Sequence, residues 1–568
     1  MFIATVPNRK SPPAILLRES YRENGKVKSR TLANLSMLPP GAIEVLRRSL
    51  KGERLAPLNP DSLQIVDSVP HGPVQAALDA MKRLKIAELI DARPSRERDR
   101  VMAMIAARVI EPHTKLATVR WWQSTTLPSL MGVEDCDEED LYRALDWLLE
   151  RQDKIEPKLA ARHLDNDALA LYDLSSSYVE GNQCPLAKRG YNRDGKKGKL
   201  QINYGLLTDA QGRPIAVSVF DGNVGDTRTV MRQVDKLREA FSLERCVLIG
   251  DRGMITQTQV DALRKLDGID WITALRPEPI RKLLHNGAIQ PDLFDERNLF
   301  SFIHPDFPDE RLIACRNPAL ARRRAEKRQS MLDATAKALE TVRGMVARGR
   351  LRTQDAIGVR VGKVVNQYKM AKHVTLDIQQ GRFDFAIDPD SVAAEAALDG
   401  LYVIRSSVSE QRMDDAQTVR HYKSLSQVER AFRTFKSLDL QVRPIHHRLE
   451  HRVRAHIFLC MLAYYVQWHL REAWRPLLFS DEDQHAKTLR DPVAPATRSA
   501  AALDKAHTQT LDDGSPVHSY RTLMKSLTTI TRNTCCITTT DAPATFEVFT
   551  TPNASQQHAF DLIKHITL

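Results

Sequence analysis

Ala168-Leu169-Ala170-Leu171-Tyr172-Asp173-Leu174-Ser175 is an apolar run that ends in a carboxylate, and Cys246-Val247-Leu248-Ile249-Gly250-Asp251-Arg252-Gly253 repeats the arrangement. Short apolar runs bounded by turn residues read as strands buried on both faces. Between them, Leu200 to Leu207 and Ile215 to Phe220 flank Asp209-Ala210-Gln211-Gly212 as a hairpin, and Val230 to Phe241 has helical periodicity. Beyond them, Thr258 to Leu266 reads as a helix and Trp271 to Leu275 as a strand. The order βββαβαβ predicts an α/β fold whose first and fourth strands are neighbours, with Asp173 and Asp251 at the same rim. Taken singly, either aspartate would more commonly end a strand and cap a turn.

A third carboxylate lies in Tyr422-Lys423-Ser424-Leu425-Ser426-Gln427-Val428-Glu429-Arg430-Ala431-Phe432-Arg433-Thr434-Phe435-Lys436. Read as one helix, positions seven apart nearly superimpose, so Tyr422, Glu429 and Lys436 share a stripe, with about 10 Å of rise between neighbours. Leu425, Val428, Phe432 and Phe435 form an apolar arc beside that stripe, so docking on the sheet would leave Glu429 at the edge of the contact. A solvated face of mixed Glu and Arg is the alternative for this helix alone. Three carboxylates amid Lys and Arg suggest phosphoryl chemistry on nucleic acid. Carboxylate oxygens are hard ligands for Mg²⁺ or Mn²⁺, and two such ions can serve the attacking and leaving oxygens of an in-line displacement.

These residues, in this order, resemble the DDE transposases of bacterial insertion sequences, over about residues 165 to 470. The resemblance is closer to the branch with a long insertion before the glutamate helix and the signature Y-x2-R-x3-E-x6-K. Tyr422, Glu429 and Lys436 match that spacing, Leu425 stands at the arginine position, and Arg443-Pro444-Ile445-His446-His447 also matches. The resemblance implies a ribonuclease H-like mixed sheet with flanking helices, interrupted by a partly β-rich α+β insertion. It implies Asp173, Asp251 and Glu429 as catalytic residues holding two Mg²⁺ or Mn²⁺ ions, and Tyr422 and Lys436 as phosphate contacts. Further DNA contacts are expected from Arg433, Lys188, Arg189, Lys196, Lys197, Arg252, Arg443 and His446. The implied partners are double-stranded DNA, as terminal inverted repeats and as target, and a second copy of the chain in a synaptic complex.

Composition agrees. The 568 residues exceed what one core usually serves. The 83 Lys+Arg against 71 Asp+Glu leave a net charge of +12, which favours a polyanionic partner. The longest apolar run, Ile457 to Val466, is too short to cross a bilayer, and the N-terminus lacks a secretory pattern, so a cytoplasmic, nucleoid-associated protein is expected. Seven scattered cysteines match neither a zinc spacing nor a disulfide framework.

Six regions are expected. Residues 1–60 hold a basic hairpin element, Ala14 to Tyr21 and Lys26 to Leu32 around Asn24-Gly25, which could touch DNA or merely cap the structure. Residues 61–164 read as a helical DNA-binding region, with helices Val74 to Leu89, Arg98 to Val109 and Glu139 to Lys154. There Arg100, Arg108 and Lys115 are candidates for phosphates, and Trp121-Trp122 for stacking or core. Residues 165–280 are the first part of the catalytic core and 281–405 the insertion, with the basic helical run Asn317 to Arg350 and strand-like segments Phe383 to Ile387 and Leu401 to Arg405. Residues 406–475 carry the glutamate helix, and 476–568 form a C-terminal region of dimerising or accessory role, polar from Asp481 to Pro516. The loop Lys188 to Lys199 reads as a DNA track or a mobile basic loop. His447 and His451 have the spacing of a metal pair, but surrounding arginines favour phosphate contact. Two other functions fit the same residues: a nuclease without strand transfer, and a silent transposase-derived DNA-binding protein, against which the intact carboxylate set argues.

Overall fold

The computed structural model describes residues 1–9, 11–53, 63–290, 293–437, 439–483, 491–495, 497–537 and 544–568. The boundary expected at residue 60 therefore lies outside the described residues. The chain forms two compact units, Met1–Pro70 with Thr529–Thr551, and His71–Thr528 with Pro552–Leu568.

In the first unit, β1 (Phe2–Val6), β2 (Ala14–Glu23) and β3 (Lys26–Asn34) make an antiparallel sheet, followed by α1 (Pro40–Leu50) and β4 (Leu63–Pro70). Asn24 and Gly25 take the two positive φ angles, 51° and 77°, that a tight two-residue hairpin requires. β4 pairs with Thr531–Ile537, which in turn pairs with Ala544–Phe549, so strands from opposite ends of the chain share one sheet.

The second unit opens with seven helices: α2 (Gly72–Arg83), α3 (Ile86–Ile90), α4 (Arg96–Ile110), α5 (Lys115–Trp122), α6 (Leu127–Met131), α7 (Glu138–Leu149) and α8 (Gln152–His163). Two of the expected helices are each divided. Lys85, at φ 47°, separates α2 from α3. Arg151 separates α7 from α8, its guanidinium lying 3.7 Å from the Trp147 ring centroid and its Nε donating to Asp91 at 3.1 Å. α4 is buried from Val101 to Val109 and is a core helix rather than a surface one.

The central sheet contains β5 (Ala168–Tyr178), β6 (Gln201–Thr208), β7 (Pro214–Asp221), β8 (Cys246–Gly250) and β9 (Ile269–Ala274), with α9 (Thr227–Asp235) before β8 and α10 (Gln257–Leu263) after it. α11 (Pro277–His285), β10 (Leu299–Phe302), β11 (Arg311–Arg316), α12 (Pro318–Ala347), α13 (Gln354–Tyr368), β12 (Val374–Gln379), β13 (Arg382–Ile387), α14 (Pro389–Ala396) and β14 (Leu401–Ser406) follow. The eight strands of the main sheet run in the order β10-β11-β14-β9-β8-β5-β6-β7. β8 is parallel to both β5 and β9, and the other pairings are antiparallel. The sheet is thus mixed, as an α/β fold predicts. Three of its strands come from the stretch between β9 and the glutamate helix. The rest of that stretch includes a helical pair and a hairpin that share a small core, Leu339, Val342 and Val346 of α12 against Ile357, Val361 and Val365 of α13 and Phe383 of β13.

α15 (Asp415–Lys423), α16 (Leu425–Lys436) and α17 (Glu450–Ala473) complete the frame. α17 is buried along most of its length, from Val453 to Leu470. Among the described residues, no helix is long and apolar enough to cross a membrane, and the seven cysteines are free thiols. In the polar stretch Asp481 to Pro516, residues 484–490 and 496 lie outside the described residues, and Ala500–Thr508 is a helix.

Candidate functional site

Strand register places the first two carboxylates. Tyr172 of β5 pairs with Gly250 of β8 at the end of a parallel ladder, so Asp173 and Asp251, the next residue along each strand, stand side by side just past it, Asp173 still paired with Leu206 of β6. Asp173 is buried. Its carboxyl is pushed up to about 7, first by burial, then by the charges of Asp251 and Glu429, against the opposing pull of Arg193 and of the Leu174 N–H that donates to Oδ1 at 2.7 Å. Asp251 is exposed and accepts the Arg252 N–H at 2.7 Å.

The third carboxylate comes from packing. Val428, Ala431, Phe432 and Phe435 are buried, and α16 lies on β5 and β6 with Tyr204 of β6 5.7 Å from the Phe432 ring and 6.4 Å from that of Phe435. Leu425, expected in that arc, is only half-buried, and Ala431 takes part instead. Glu429 stands on the exposed side of α16, close enough to bias Asp173 and Tyr422. Among the described residues, no three carboxylate, imidazole or thiol groups already close on one point able to hold a metal ion.

The single stripe through Tyr422, Glu429 and Lys436 does not exist as read. The helix breaks at Ser424, whose hydroxyl donates to the His421 carbonyl at 2.5 Å, competing with the helical ladder. Tyr422 therefore closes α15 while Glu429 and Lys436 belong to α16. It still reaches the site: burial first, then the neighbouring Asp251 carboxylate, pushes the phenol well above its ordinary value.

The basic residues divide into two groups. Lys188, Arg189, Lys196, Lys197, Arg252, Arg433 and His446 are exposed. Lys436 and Arg443 instead meet a residue that sequence reasoning passed over, Asp194. Its Oδ1 lies 2.9 Å from Lys436 Nζ and 2.5 Å from an Arg443 guanidinium nitrogen, while Oδ2 accepts the Tyr178 N–H at 3.1 Å. Burial lowers the Lys436 pKa, and Asp194 opposes the shift. The signal in the sequence was faint: one acid in a loop otherwise of Lys, Arg, Gly, Tyr and Asn.

Several expected phosphate contacts face inward. Arg100 pairs with Asp140 at 2.9 Å, Arg108 donates to the Leu440 and His113 carbonyls, and Lys115 is buried beside Arg108. The reason is that α4 and the start of α5 pack inside the helical region, which the mixed polarity of their sequences concealed. Trp122 is core, and Trp121 donates to Glu111 at 3.1 Å. Several of the arginines and histidines after Arg443 are also engaged. Arg452 pairs with Glu139, Arg454 with Glu450, and His451 lies 3.5 Å from Asp146. His447 packs on His456, ring centroids 4.8 Å apart, not with His451 as a metal pair.

The family of the transposase DDE domain matches residues 168–466, more than half of the chain, a span that holds all three carboxylates. The chain belongs to the DDE transposases of bacterial insertion sequences, enzymes that cut and join DNA. Residues 3–58 match the N-terminal domain of IS1634 family transposases. No curated protein matches the chain. One similar solved structure is the piggyBac transposase synaptic complex with hairpin DNA, at 9% identity and a TM-score of 0.35, covering 81% of this chain and 82% of that one; a likeness this distant carries no argument.

Proposed function

We propose that this transposase excises and reinserts an insertion element by cut-and-paste strand cleavage and strand transfer, with Asp173, Asp251 and Glu429 as its catalytic carboxylates. The observation that carries the proposal is the β5–β8 register, which sets Asp173 beside Asp251, together with the packing of α16 that brings Glu429 toward them. We read the order of the five central strands as a ribonuclease H-like core.

The donor set suits Mg²⁺ or Mn²⁺: three hard carboxylates, one held near neutrality by burial and by the other two, and one on an exposed helix face where its side chain is free to turn. Two such ions, when bound, would supply an activated oxygen nucleophile and stabilise the leaving 3′-oxygen. The chain's own residues position the reaction. Tyr422 keeps its proton and orients Asp251, and the rigid sheet fixes Asp173. The exposed cations Lys188, Arg189, Lys196, Lys197, Arg252, Arg433 and His446 would track the backbone of double-stranded DNA, terminal inverted repeats and target alike. The synaptic complex would contain two copies of the chain, acting at the nucleoid in the cytoplasm.

The test incubates the protein with labelled transposon-end DNA, a target plasmid and Mg²⁺. Joined product is the expected result. Cleaved ends without joining would favour a nuclease, and binding without cleavage a silent DNA-binding protein.

A further inference from the structure

We infer that Asp194 is a positioning residue that holds Arg443 as the phosphate-binding cation of the rim and withdraws Lys436 from that role. The inference rests on the DNA-cleaving reading of the same rim. The Asp194 side chain is 0% exposed and Lys436 only 12%, while Arg443 is 30% exposed. Asp194 is itself fixed at three points: Oδ2 accepts the Tyr178 N–H at the end of β5, its own N–H donates to Asn192 Oδ1 at 2.9 Å, and Oδ1 faces the two cations.

Arg443 is anchored from the other side as well. Its Nε donates to the Lys436 carbonyl at 3.2 Å, and the nearby Ile445 is tied to β5 by Ile445 N–H to Tyr178 O at 3.1 Å and Glu180 N–H to Ile445 O at 2.9 Å. One carboxylate between two cations leaves one positive charge unmatched. The more exposed of the two, a planar guanidinium suited to phosphate oxygens, is the one able to offer it. Lys436 is then the buried counter-ion of Asp194. Asp194 also links the exposed cations of the Lys188 to Lys199 loop to the glutamate helix, so backbone held by the loop is held in register with Glu429.

The test is the salt dependence of end-DNA binding by the full chain and its variants, each checked by thermal melting. Neutralising one phosphate-binding cation makes the slope of log K against log salt shallower by about 0.9 for duplex DNA. R443Q is expected to show that decrease and K436Q to keep the wild-type slope. D194N raises the net charge by one, which by long-range attraction alone would tighten binding. The inference requires the opposite, binding weaker on the order of tenfold with a slope shallower by about 0.9. Should D194N fail to fold, D194N/K436M removes the buried pair without net change of charge and is expected to show the same weakening. Equal or tighter binding by a folded Asp194 variant, or a slope change in K436Q matching that of R443Q, would overturn the inference. An unchanged slope in R443Q would overturn it too, whereas absence of end-DNA binding by the wild type would instead sink the underlying reading of the rim.

Discussion

The Tyr422 phenol and the Asp251 carboxylate are neighbours although they come from different elements, the last turn of α15 and the end of β8. A phenol that keeps its proton beside a carboxylate is placed to donate to it and to fix which oxygen faces the reaction. Tyr422→Phe keeps the ring and removes only the donor. Cleavage of labelled end DNA is expected to fall about 10- to 100-fold, with the deficit narrowing as Mg²⁺ is raised and with end binding unaltered. Wild-type cleavage in the variant would show that the bond orients nothing.

Asp173→Asn, Asp251→Asn and Glu429→Gln are each expected to abolish strand cleavage while leaving gel-shift affinity for end DNA near wild type, because binding rests on cations elsewhere. Chelation should silence the wild type, Mg²⁺ or Mn²⁺ should restore it, and Ca²⁺ should support binding with little cutting, since its looser coordination fits the transition state poorly. Near-normal cleavage by any one of the three variants removes that residue from the catalytic set.

Phe435 is fully buried on α16 between Tyr204, Phe432 and Tyr464, whose ring centroid is 5.3 Å away. Phe435→Ala is expected to cost about 3–5 kcal/mol in urea unfolding monitored at the Trp fluorescence. Activity should fall with it, because this ring seats the helix that carries Glu429. A change smaller than about 1 kcal/mol would mean that α16 is seated by other side chains.

Burial first, then neighbouring cations, lowers three histidines from 6.5: His163 to about 4, His447 to about 3 and His469 to about 3. A base with a depressed folded pKa binds fewer protons folded than unfolded. Stability from these residues is therefore complete above about pH 6.5 and falls away as pH drops toward 4 and 3. Lys115, lowered from 10.5 to about 7 by burial and Arg108, acts in a higher window: stability rises with pH from 7 to 10.5. Lys115→Met is expected to stabilise the protein at about pH 7 and to flatten that rise, read from melting temperatures across the range. An unchanged alkaline slope would show that Lys115 is charged in the folded state.

Much of this protein is local and hence legible. The strands that lead into Asp173 and Asp251, although β5 runs on past Asp173 to Tyr178, the Asn24-Gly25 hairpin and the apolar positions of α16 follow from periodicity, turn chemistry and spacing, which act between near neighbours in the chain. The transposase family was legible too, from three carboxylates in order and the Tyr422, Glu429, Lys436 spacing.

Tertiary structure alone decided three things. It broke the glutamate helix at Ser424, so that Tyr422 meets Asp251 from α15 while α16 docks on β5 and β6. It carried β10, β11 and β14 onto the edge of the central sheet, and paired β4 with Thr531–Ile537, because strand partners are chosen between segments far apart in the chain by shared apolar faces. It also sorted the cations. Lys188 and Arg433 face solvent while Lys436, Arg108 and Lys115 are drawn inside, since a charge is placed by the partners and carbonyls that folding brings to it, and a sequence shows the charge but not the partner.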